Sequence, residues 1–184
     1  MRKITAYNFL TLNGFFKGPD GDLSWHRHGG EEAEFAKEGA SSQSVLLFGR
    51  VTYEMMASYW PTPMAMEQNA DVATGMNASE KIVFSNTLKK ADWSNTKVIG
   101  GDIIEEMKKI KSSPGHDMTI LGSGSIISQF TDHGLIDTYQ LMIDPVALSA
   151  GTAIFKGIKQ KLDLKLVDSK IFKSGVVLLT YEPM

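Results

Sequence analysis

Short apolar runs that alternate with stretches of helical spacing constrain this 184-residue chain more than any other feature. The runs at residues 44–48, 81–84 and 118–121 have the length of buried strands. Strands that alternate with helices favour an α/β fold built on a mostly parallel sheet. The chain after residue 162 is β-rich and is interrupted by a turn signal at residues 173–175, which predicts a C-terminal antiparallel hairpin.

Start and stop signals divide this pattern into individual elements. Asp102 is a suitable N-cap for the helix that follows it, and Pro61 ends an earlier helix. Residues 13–30 are predicted to be loop, and residues 62–79 are predicted to be less regular. The predicted strands are residues 4–12, 44–48, 81–84, 96–99, 118–121, 138–143, 162–172 and 176–181, and the predicted helices are residues 31–40, 51–60, 102–111 and 125–133.

The composition excludes several classes of protein. The chain has no cysteine, and its net charge of −2 arises from well mixed signs without a basic stripe. No apolar run approaches the roughly 18 residues of a membrane span. We therefore expect a single cytoplasmic domain, residues 1–184, that binds neither nucleic acid nor a membrane.

Three of the predicted strands end in glycine or small polar residues, and we number these junctions along the chain. The first junction follows the strand at residues 44–48, and a helix begins within two residues. Backbone N–H groups at a helix start bind anions, and an arginine adds a fixed charge with a bidentate fork. The alternative is a tight turn with an exposed arginine. The first junction consists of Gly49, Arg50, Val51 and Thr52.

The second and third junctions follow the strands at residues 81–84 and 118–121. The second offers three hydrogen-bonding side chains, and an ordinary polar loop is the alternative. The third matches two glycines of the G-x-G-x-x-G fingerprint, but Ile127 at the third glycine position argues against a Rossmann unit. Three junctions at the carboxyl ends of parallel strands predict one extended ligand, such as a dinucleotide. The second junction is Ser85, Asn86 and Thr87, and the third is Gly122, Ser123, Gly124, Ser125 and Ile126.

Five segments of the sequence resemble the dihydrofolate reductase-like superfamily, in family order and over nearly the whole chain. They are TLNGFFKGPDGDLSW, LLFGRVTYEMMASYWP, KIVFSNTL, ILGSGSIISQF and HGLIDTYQLMIDPVALSAGTAIF, of which GRVTYE and LGSG are the most specific parts. The chain looks most like the branch that holds the reductase domain of the bifunctional riboflavin-biosynthesis deaminase-reductase. The resemblance implies a mostly parallel eight-stranded sheet with helices on both faces and an NADPH-binding cleft.

The resemblance also implies roles for individual residues. The last three residues of the first junction would hold the phosphates of the cofactor, while Ser85 and Asn86 would face its adenosine end. The third junction would wrap the pyrophosphate, and Ala6 on the first strand would lie beside the nicotinamide. Asp144 is then expected to be a turn former before Pro145.

Fewer sequence features indicate where a substrate would bind. Many relatives carry an aspartate where this chain has Asn13. Trp25 and Trp60 lie at loop edges, where an indole could stack on a heterocycle. Met55 and Met56 follow the first junction on the same predicted helix and could adapt to an irregular ligand. For the tryptophans and the methionines alike, packing in the core is the alternative.

No sequence motif identifies a proton donor. Asp20, Asp22 and the glutamates of the predicted helix at residues 31–40 are candidates, with a turn and a solvated helix face as the alternatives, and water could also supply the proton. The histidines in residues 26–28 have no third ligand nearby, so we expect a solvated loop and no metal site. The glutamates are Glu31, Glu32, Glu34 and Glu38.

The sequence thus predicts an NADPH-dependent reductase of a small heterocyclic substrate, either the pyrimidine ribosylamino precursor of riboflavin or a pterin. The alternative is a nucleotide-binding or regulatory protein that keeps the fold without catalysis. Leu162, Leu164 and Leu166 alternate with charged residues, and the run at residues 176–181 is typical of a strand buried on both faces. These strands predict a homodimer formed partly by the C-terminal hairpin, and the alternative is that the domain's own helices cover the hairpin.

Overall fold

An eight-stranded sheet forms the centre of the computed structural model, which describes residues 1–27 and 29–184. The strands along the chain are β1 (Ile4–Thr11), β2 (Phe15–Lys17), β3 (Val45–Gly49), β4 (Lys81–Phe84), β5 (Thr96–Ile99), β6 (Met118–Leu121), β7 (Thr138–Asp144), β8 (Thr152–Ala153), β9 (Leu164–Ile171) and β10 (Val177–Pro183). The order in the sheet is β5-β4-β3-β6-β1-β7-β10-β9, and β2 pairs with β8 in a separate ribbon. The strands from β5 to β7 are parallel, whereas β10 runs antiparallel to β7 and β9. The predicted mostly parallel eight-stranded sheet with a C-terminal antiparallel hairpin is confirmed.

Six α-helices flank the sheet within the described residues. They are α1 (Gly30–Ala40), α2 (Arg50–Tyr59), α3 (Pro63–Gln68), α4 (Ala70–Ala78), α5 (Ile103–Ser112) and α6 (Gly124–Asp132). The predicted cap of α5 is confirmed, because the Asp102 carboxylate accepts hydrogen bonds from the N–H groups of Ile104 and Glu105.

Alternation along the buried strands places apolar side chains on both faces of the sheet. Val45 and Leu47 of β3 join the main cluster, which contains residues of α5 and α6. Leu46 and Phe48 point to the opposite face and join a second cluster with residues of α2 and α4. A third cluster lies beside the second on that face and receives Phe35 of α1.

The structure differs from the sequence prediction mainly in the short elements. Residues 62–79, predicted to be less regular, contain α3 and α4; Thr62 caps α3 by accepting the Ala65 N–H, and Pro63 suits its first turn. Residues 13–30, predicted to be loop, contain β2 and a 3-10 turn. Strand β10 is less buried than predicted: Leu178 is buried, but most of its other residues are half-buried or exposed.

The parallel strands bring all three junctions to one edge of the sheet. Strands β4, β3 and β6 are neighbours, so the chain leaves them at adjacent positions along the carboxyl edge. Strands β1 and β7 end at the same edge and extend the row beyond β6. In the described part of the chain, no helix has the length and apolar character needed to cross a membrane.

Candidate functional site

Helices α2 and α6 begin side by side because they follow the neighbouring strands β3 and β6. The Gly49 N–H donates a hydrogen bond of 2.8 Å to the Ser123 hydroxyl oxygen, which ties the first junction to the third. Neither helix start has a side-chain cap. The first N–H groups of a helix have no acceptor inside it, although in α6 the Ile126 N–H already donates to the Ser123 carbonyl at 2.9 Å. The remaining N–H groups at the two adjacent helix starts form a site for an anion.

The third junction turns through two consecutive left-handed residues. Gly122 has φ +60° and Ser123 has φ 61°. A Cβ atom on Gly122 would also lie 3.2 Å from the Thr52 side chain, so the backbone conformation and the close packing both favour glycine. A Cβ atom on Gly124 would lie 3.0 Å from the Phe16 ring of β2. The third junction is therefore held between α2 and the β2–β8 ribbon.

The first junction presents charge and apolar surface to solvent. The Arg50 guanidinium donates from Nη1 to both carboxylate oxygens of Glu54 at 3.1 Å, and both side chains are about half exposed. Such surface pairs contribute little stability, so Arg50 can exchange this partner for a ligand phosphate at small cost. Val51 is exposed, and Thr52 is half-buried against the third junction.

The second junction has a closed pattern of internal hydrogen bonds. The Ser85 hydroxyl oxygen accepts the N–H groups of Thr87 and Leu88, and the side-chain amide oxygen of Asn86 accepts the Gly101 N–H at 2.7 Å. These contacts are those expected for an ordinary polar loop, the alternative given for this junction. The loop still lies on the ligand edge, one strand from the first junction.

An open cavity of about 450 Å³ continues the site from the first junction toward the loops beyond β1 and β7. Val51 lines it on one side, and residues 17–21 and 150–152 line it on the other. Ala6 lies deeper, fully buried in the main cluster. Ile126 is also buried, so a ligand at the third junction meets its backbone and not its side chain.

Asn13 holds two loops of the site together. Its amide nitrogen donates to the Leu148 carbonyl at 2.8 Å, and its amide oxygen accepts the Leu148 N–H at 3.2 Å. An aspartate in this position could not donate to the carbonyl. An asparagine at position 13 is therefore suited to joining the loop after β1 to the loop after β7.

The two tryptophans occupy different environments. The Trp60 indole N–H donates to the Met56 sulfur, and both side chains pack against the second cluster, as the core alternative predicts. The half-buried Trp25 donates to the Asp22 carbonyl and lies edge-on to His26. Met55 is exposed on α2.

A buried histidine–aspartate pair corrects two predictions. Asp144 is fully buried at the end of β7. Its carboxylate forms a hydrogen bond of 2.7 Å with His26 Nδ1 and accepts a hydrogen bond of 2.9 Å from the Arg27 N–H. It is therefore not a turn former. His26 is buried and stacks on Phe9 at 3.6 Å between ring centroids, so its segment is not a solvated loop. His28 lies outside the described residues. Within the described residues, no group of three or more potential metal ligands is found.

The candidate acids at the start of α1 bind the turn between β9 and β10. The buried Glu32 carboxylate accepts the Ser174 hydroxyl. Glu31 accepts the Lys173 N–H and pairs with its ammonium group, and the backbone hydrogen bond lowers the pKa of the Glu31 carboxyl. Glu34 and Glu38 are exposed, as a solvated face predicts. No proton donor follows from this geometry.

An unpaired amide lies beneath the same edge and was not among the predicted site residues. Asn8 of β1 is buried, and its amide nitrogen has no hydrogen-bond partner among the described residues. Its neighbour Tyr7 faces the other side of the sheet, where burial and the charge of Asp144 raise the pKa of the Tyr7 hydroxyl. A polar residue inside the otherwise apolar alternation of β1 was the available signal for Asn8.

Comparisons with known proteins agree with this geometry. A riboflavin-biosynthesis candidate protein from Shewanella sp. PV-4 superposes with a TM-score of 0.74 at 18% identity, covering 100% of this chain and 99% of that one. Dihydrofolate reductase from Enterococcus faecalis, solved with NADP(H), superposes with a TM-score of 0.68 at 16% identity, covering 98% and 96% of the two chains. The chain therefore has the dihydrofolate reductase-like fold.

Sequence comparison identifies the family within that class. The uncharacterized protein YyaP of Bacillus subtilis (strain 168) is 30% identical over 180 residues, which cover 98% of this chain and 94% of YyaP. The model of the RibD C-terminal domain matches residues 2–178. The chain belongs to the RibD C-terminal domain family, which supports a reductase of the riboflavin-pathway type.

Proposed function

We propose that this protein is an NADPH-dependent reductase of a small heterocyclic substrate. The observation that carries the proposal is the pair of uncapped helix starts joined by the hydrogen bond from Gly49 to Ser123. Adjacent free N–H groups suit the phosphates of a dinucleotide, and the glycine at position 122 leaves backbone accessible without a side chain. Bound NADPH would supply the hydride.

The row of junctions would orient the cofactor along the carboxyl edge of the sheet. Phosphate groups fit the adjacent starts of α2 and α6, with Arg50 at the surface to bind a further phosphate. The adenosine end would extend toward β4, where Ser85 and Asn86 lie, and the nicotinamide end toward β1. The path from β4 to β1 crosses three inter-strand steps of about 4.8 Å each, which requires an extended ligand.

The substrate would bind beside the nicotinamide end, on the side of the sheet flanked by α1 and α2. The pyrimidine ribosylamino precursor of riboflavin and a pterin are the two substrate classes that we propose. Asn13 would fix the loop that borders this space, and Met55 offers adaptable apolar surface on α2. With the carboxylates of Glu31 and Glu32 engaged by the hairpin turn, water is the simplest source of the proton.

Cofactor titration followed by turnover tests this function. We expect the purified chain to bind NADPH more tightly than NADH and to oxidise it in the presence of the pyrimidine precursor or a dihydropterin-type substrate. The absorbance of reduced nicotinamide reports turnover directly. Failure to bind either cofactor at millimolar concentration would overturn the proposal.

A binding protein of the same fold is the second candidate function. The engagement of Glu31 and Glu32 with the hairpin favours it, because it leaves the helix nearest to the substrate side without a free buried acid. Tight NADPH binding without turnover of either substrate class would favour this candidate over the reductase.

We also propose that the protein forms a homodimer through β9. This strand is at the edge of the sheet, and Leu166, Val167 and Ile171 on it are exposed. An edge strand with unpaired backbone groups and apolar side chains is suited to cover the same strand of a second copy. Light scattering should give twice the chain mass at micromolar concentration, and Val167→Lys should shift it to the monomer. A monomer mass for the native chain over a wide concentration range would contradict the dimer.

A further inference from the structure

Asn8 is a buried amide that the fold leaves without a partner. Only 3% of the residue is exposed, and its amide nitrogen is the one fully buried side-chain nitrogen or oxygen without a hydrogen bond among the described residues. Leaving such a group unsatisfied costs about 1–3 kcal/mol of stability. An apolar residue of similar size would avoid this cost, so the asparagine calls for a role outside the stability of the free protein.

The position of Asn8 in the sheet is equally unusual. Pairing between β1 and β6 ends at Tyr7 and Leu121, whereas pairing between β1 and β7 continues to Thr11. The chain after Leu121 turns away at Gly122. Asn8 pairs with Leu141 of β7 and is the first residue of β1 beyond the pairing with β6, on the side where the chain turns into the third junction.

The side chain of Asn8 lies on the same face of the sheet as α6. Its neighbours at alternate positions, Ala6 and Leu10, belong to the main cluster, to which α6 contributes Ile127 and Phe130. The uncapped start of α6 and the unpaired amide of Asn8 thus lie on one face, at the end of the gap between β1 and β6. Two independent observations mark this gap as a ligand position.

We propose that the side-chain amide of Asn8 binds the carboxamide of the nicotinamide ring, an inference that rests on the proposed function. Two primary amides each offer a donor and an acceptor, so they pair with one another through complementary hydrogen bonds. On the proposed path, the nicotinamide end is the part of the cofactor that lies beyond the phosphates, toward β1. The half-buried Phe16 ring, which packs against Gly124 and the main cluster, moves aside when the nicotinamide enters.

Substitution of Asn8 by leucine and by alanine tests the protein side of this contact. Without ligand, we expect Asn8→Leu to melt at the same temperature as the native chain or higher, because the unsatisfied amide is gone. The affinity of both variants for NADPH should fall about tenfold. Their affinity for 2′,5′-ADP, which lacks the nicotinamide, should not change. Thr5→Val, a polar-to-apolar control near the opposite end of β1, should alter neither affinity.

The thionicotinamide analogue of NADPH tests the ligand side, because sulfur, a weaker acceptor, replaces the carboxamide oxygen to which the Asn8 amide nitrogen would donate. The native chain should bind this analogue about tenfold more weakly than NADPH, and the Asn8 variants should bind both equally. If the affinity losses caused by the Asn8 substitution and by the analogue were additive, or if Asn8→Leu bound NADPH as tightly as the native chain, the proposed contact would be wrong. The proposed function would still stand. If the native chain binds neither dinucleotide, the contact and the proposed function fail together.

Discussion

Among the described residues, buried polar groups have hydrogen-bond partners at the amino edge of the sheet, whereas several polar groups at the carboxyl edge have none. At the amino edge, buried Lys81 donates to the carbonyls of Asn77 and Ser79 and lies 4.5 Å from the centre of the Trp93 ring. Lys111 donates to the Leu135 carbonyl and pairs with Asp137, which also accepts the Ile4 N–H. These contacts give the ammonium groups hydrogen-bond acceptors, and Lys111 also has a charged partner, so helices and strands are joined at this edge.

At the carboxyl edge, several polar groups are left open. The starts of α2 and α6 have no side-chain cap, and the amide of Asn8 has no partner. Helix α5 begins on this same edge but is capped by Asp102, so the helices that follow neighbouring strands of this row differ: α2 and α6 are uncapped and α5 is capped. The comparison indicates that the protein concentrates unsatisfied groups where a ligand can complete them, and four substitutions test this division.

The largest effect is expected at the amino edge. Lys111→Met should lower the free energy of unfolding by about 3 kcal/mol, because it leaves the Asp137 carboxylate without its buried partner. NADPH affinity should stay within twofold of the native value. Urea denaturation and cofactor titration measure the two quantities.

Lys109 of the same helix provides a matched control for Lys111. It forms an exposed ion pair with Glu106, so Lys109→Met should change stability by less than about 0.5 kcal/mol. If the two variants lost the same stability, the amino edge would not depend on its buried charges.

At the carboxyl edge, Gly124→Val should impair binding more than folding. The added side chain would press on the Phe16 ring, which is a movable neighbour, and would narrow the approach to the third junction. We expect NADPH affinity to fall about thirtyfold, or about 2 kcal/mol, with a small drop in melting temperature.

Gly39→Ala on α1 is the control, because a Cβ atom there meets no atom within 4 Å. It should stabilise the chain by up to about 1 kcal/mol without affecting the cofactor. If the Gly124→Val variant folded normally and bound NADPH as tightly as the native chain, the third junction would not be part of the cofactor site.

Lys81 makes the stability of the amino edge depend on pH. Burial lowers the pKa of the Lys81 ammonium group from 10.5 to about 8. Between these values the unfolded chain holds more protons than the folded chain, so the free energy of unfolding should rise with pH. We expect a gain on the order of 2 kcal/mol between pH 7.5 and 9.5.

Denaturation curves of the native chain and Lys81→Met across this pH range measure the contribution. The variant should show a flatter profile, because it lacks the titrating group. An unchanged slope in the variant would assign the pH dependence to other residues. The raised pKa of Tyr7 acts only above pH 10 and does not interfere.

The smallest effect is expected at Arg50. Arg50→Ala should reduce the preference for NADPH over NADH about tenfold, or about 1.4 kcal/mol, since a charge-assisted contact to phosphate is lost. Stability should hardly change, because the pair with Glu54 is exposed. Equal affinity of the native chain for the two cofactors would remove the basis for this prediction.

Glu54→Gln sharpens the same test. It frees Arg50 from its carboxylate partner, so NADPH affinity should stay equal or increase slightly. A loss of NADPH affinity in this variant would indicate that Glu54 itself supports the site.

The sequence alone determined the local elements and the positions of the junctions. The strands β4, β5 and β6 agree with the prediction to the residue, because short apolar runs with clear boundaries leave little choice of structure. Asp102 was recognisable as a cap because its partners are two and three residues away. Helix α3 was missed because its six residues are too few to show a clear period, and α4 was missed because its residues are mostly small and include Gly75.

The tertiary structure decided which polar groups meet. His26 and Asp144 are 118 residues apart in the chain, so no local signal predicted their buried pair. The contact between Gly49 and Ser123 depends on β3 and β6 being neighbours, and the open flank of Asn8 depends on where their pairing with β1 ends. Local sequence sets periodicity and caps, whereas the sheet order sets distances between remote residues, and those distances determine which polar groups are paired and which remain open to a ligand.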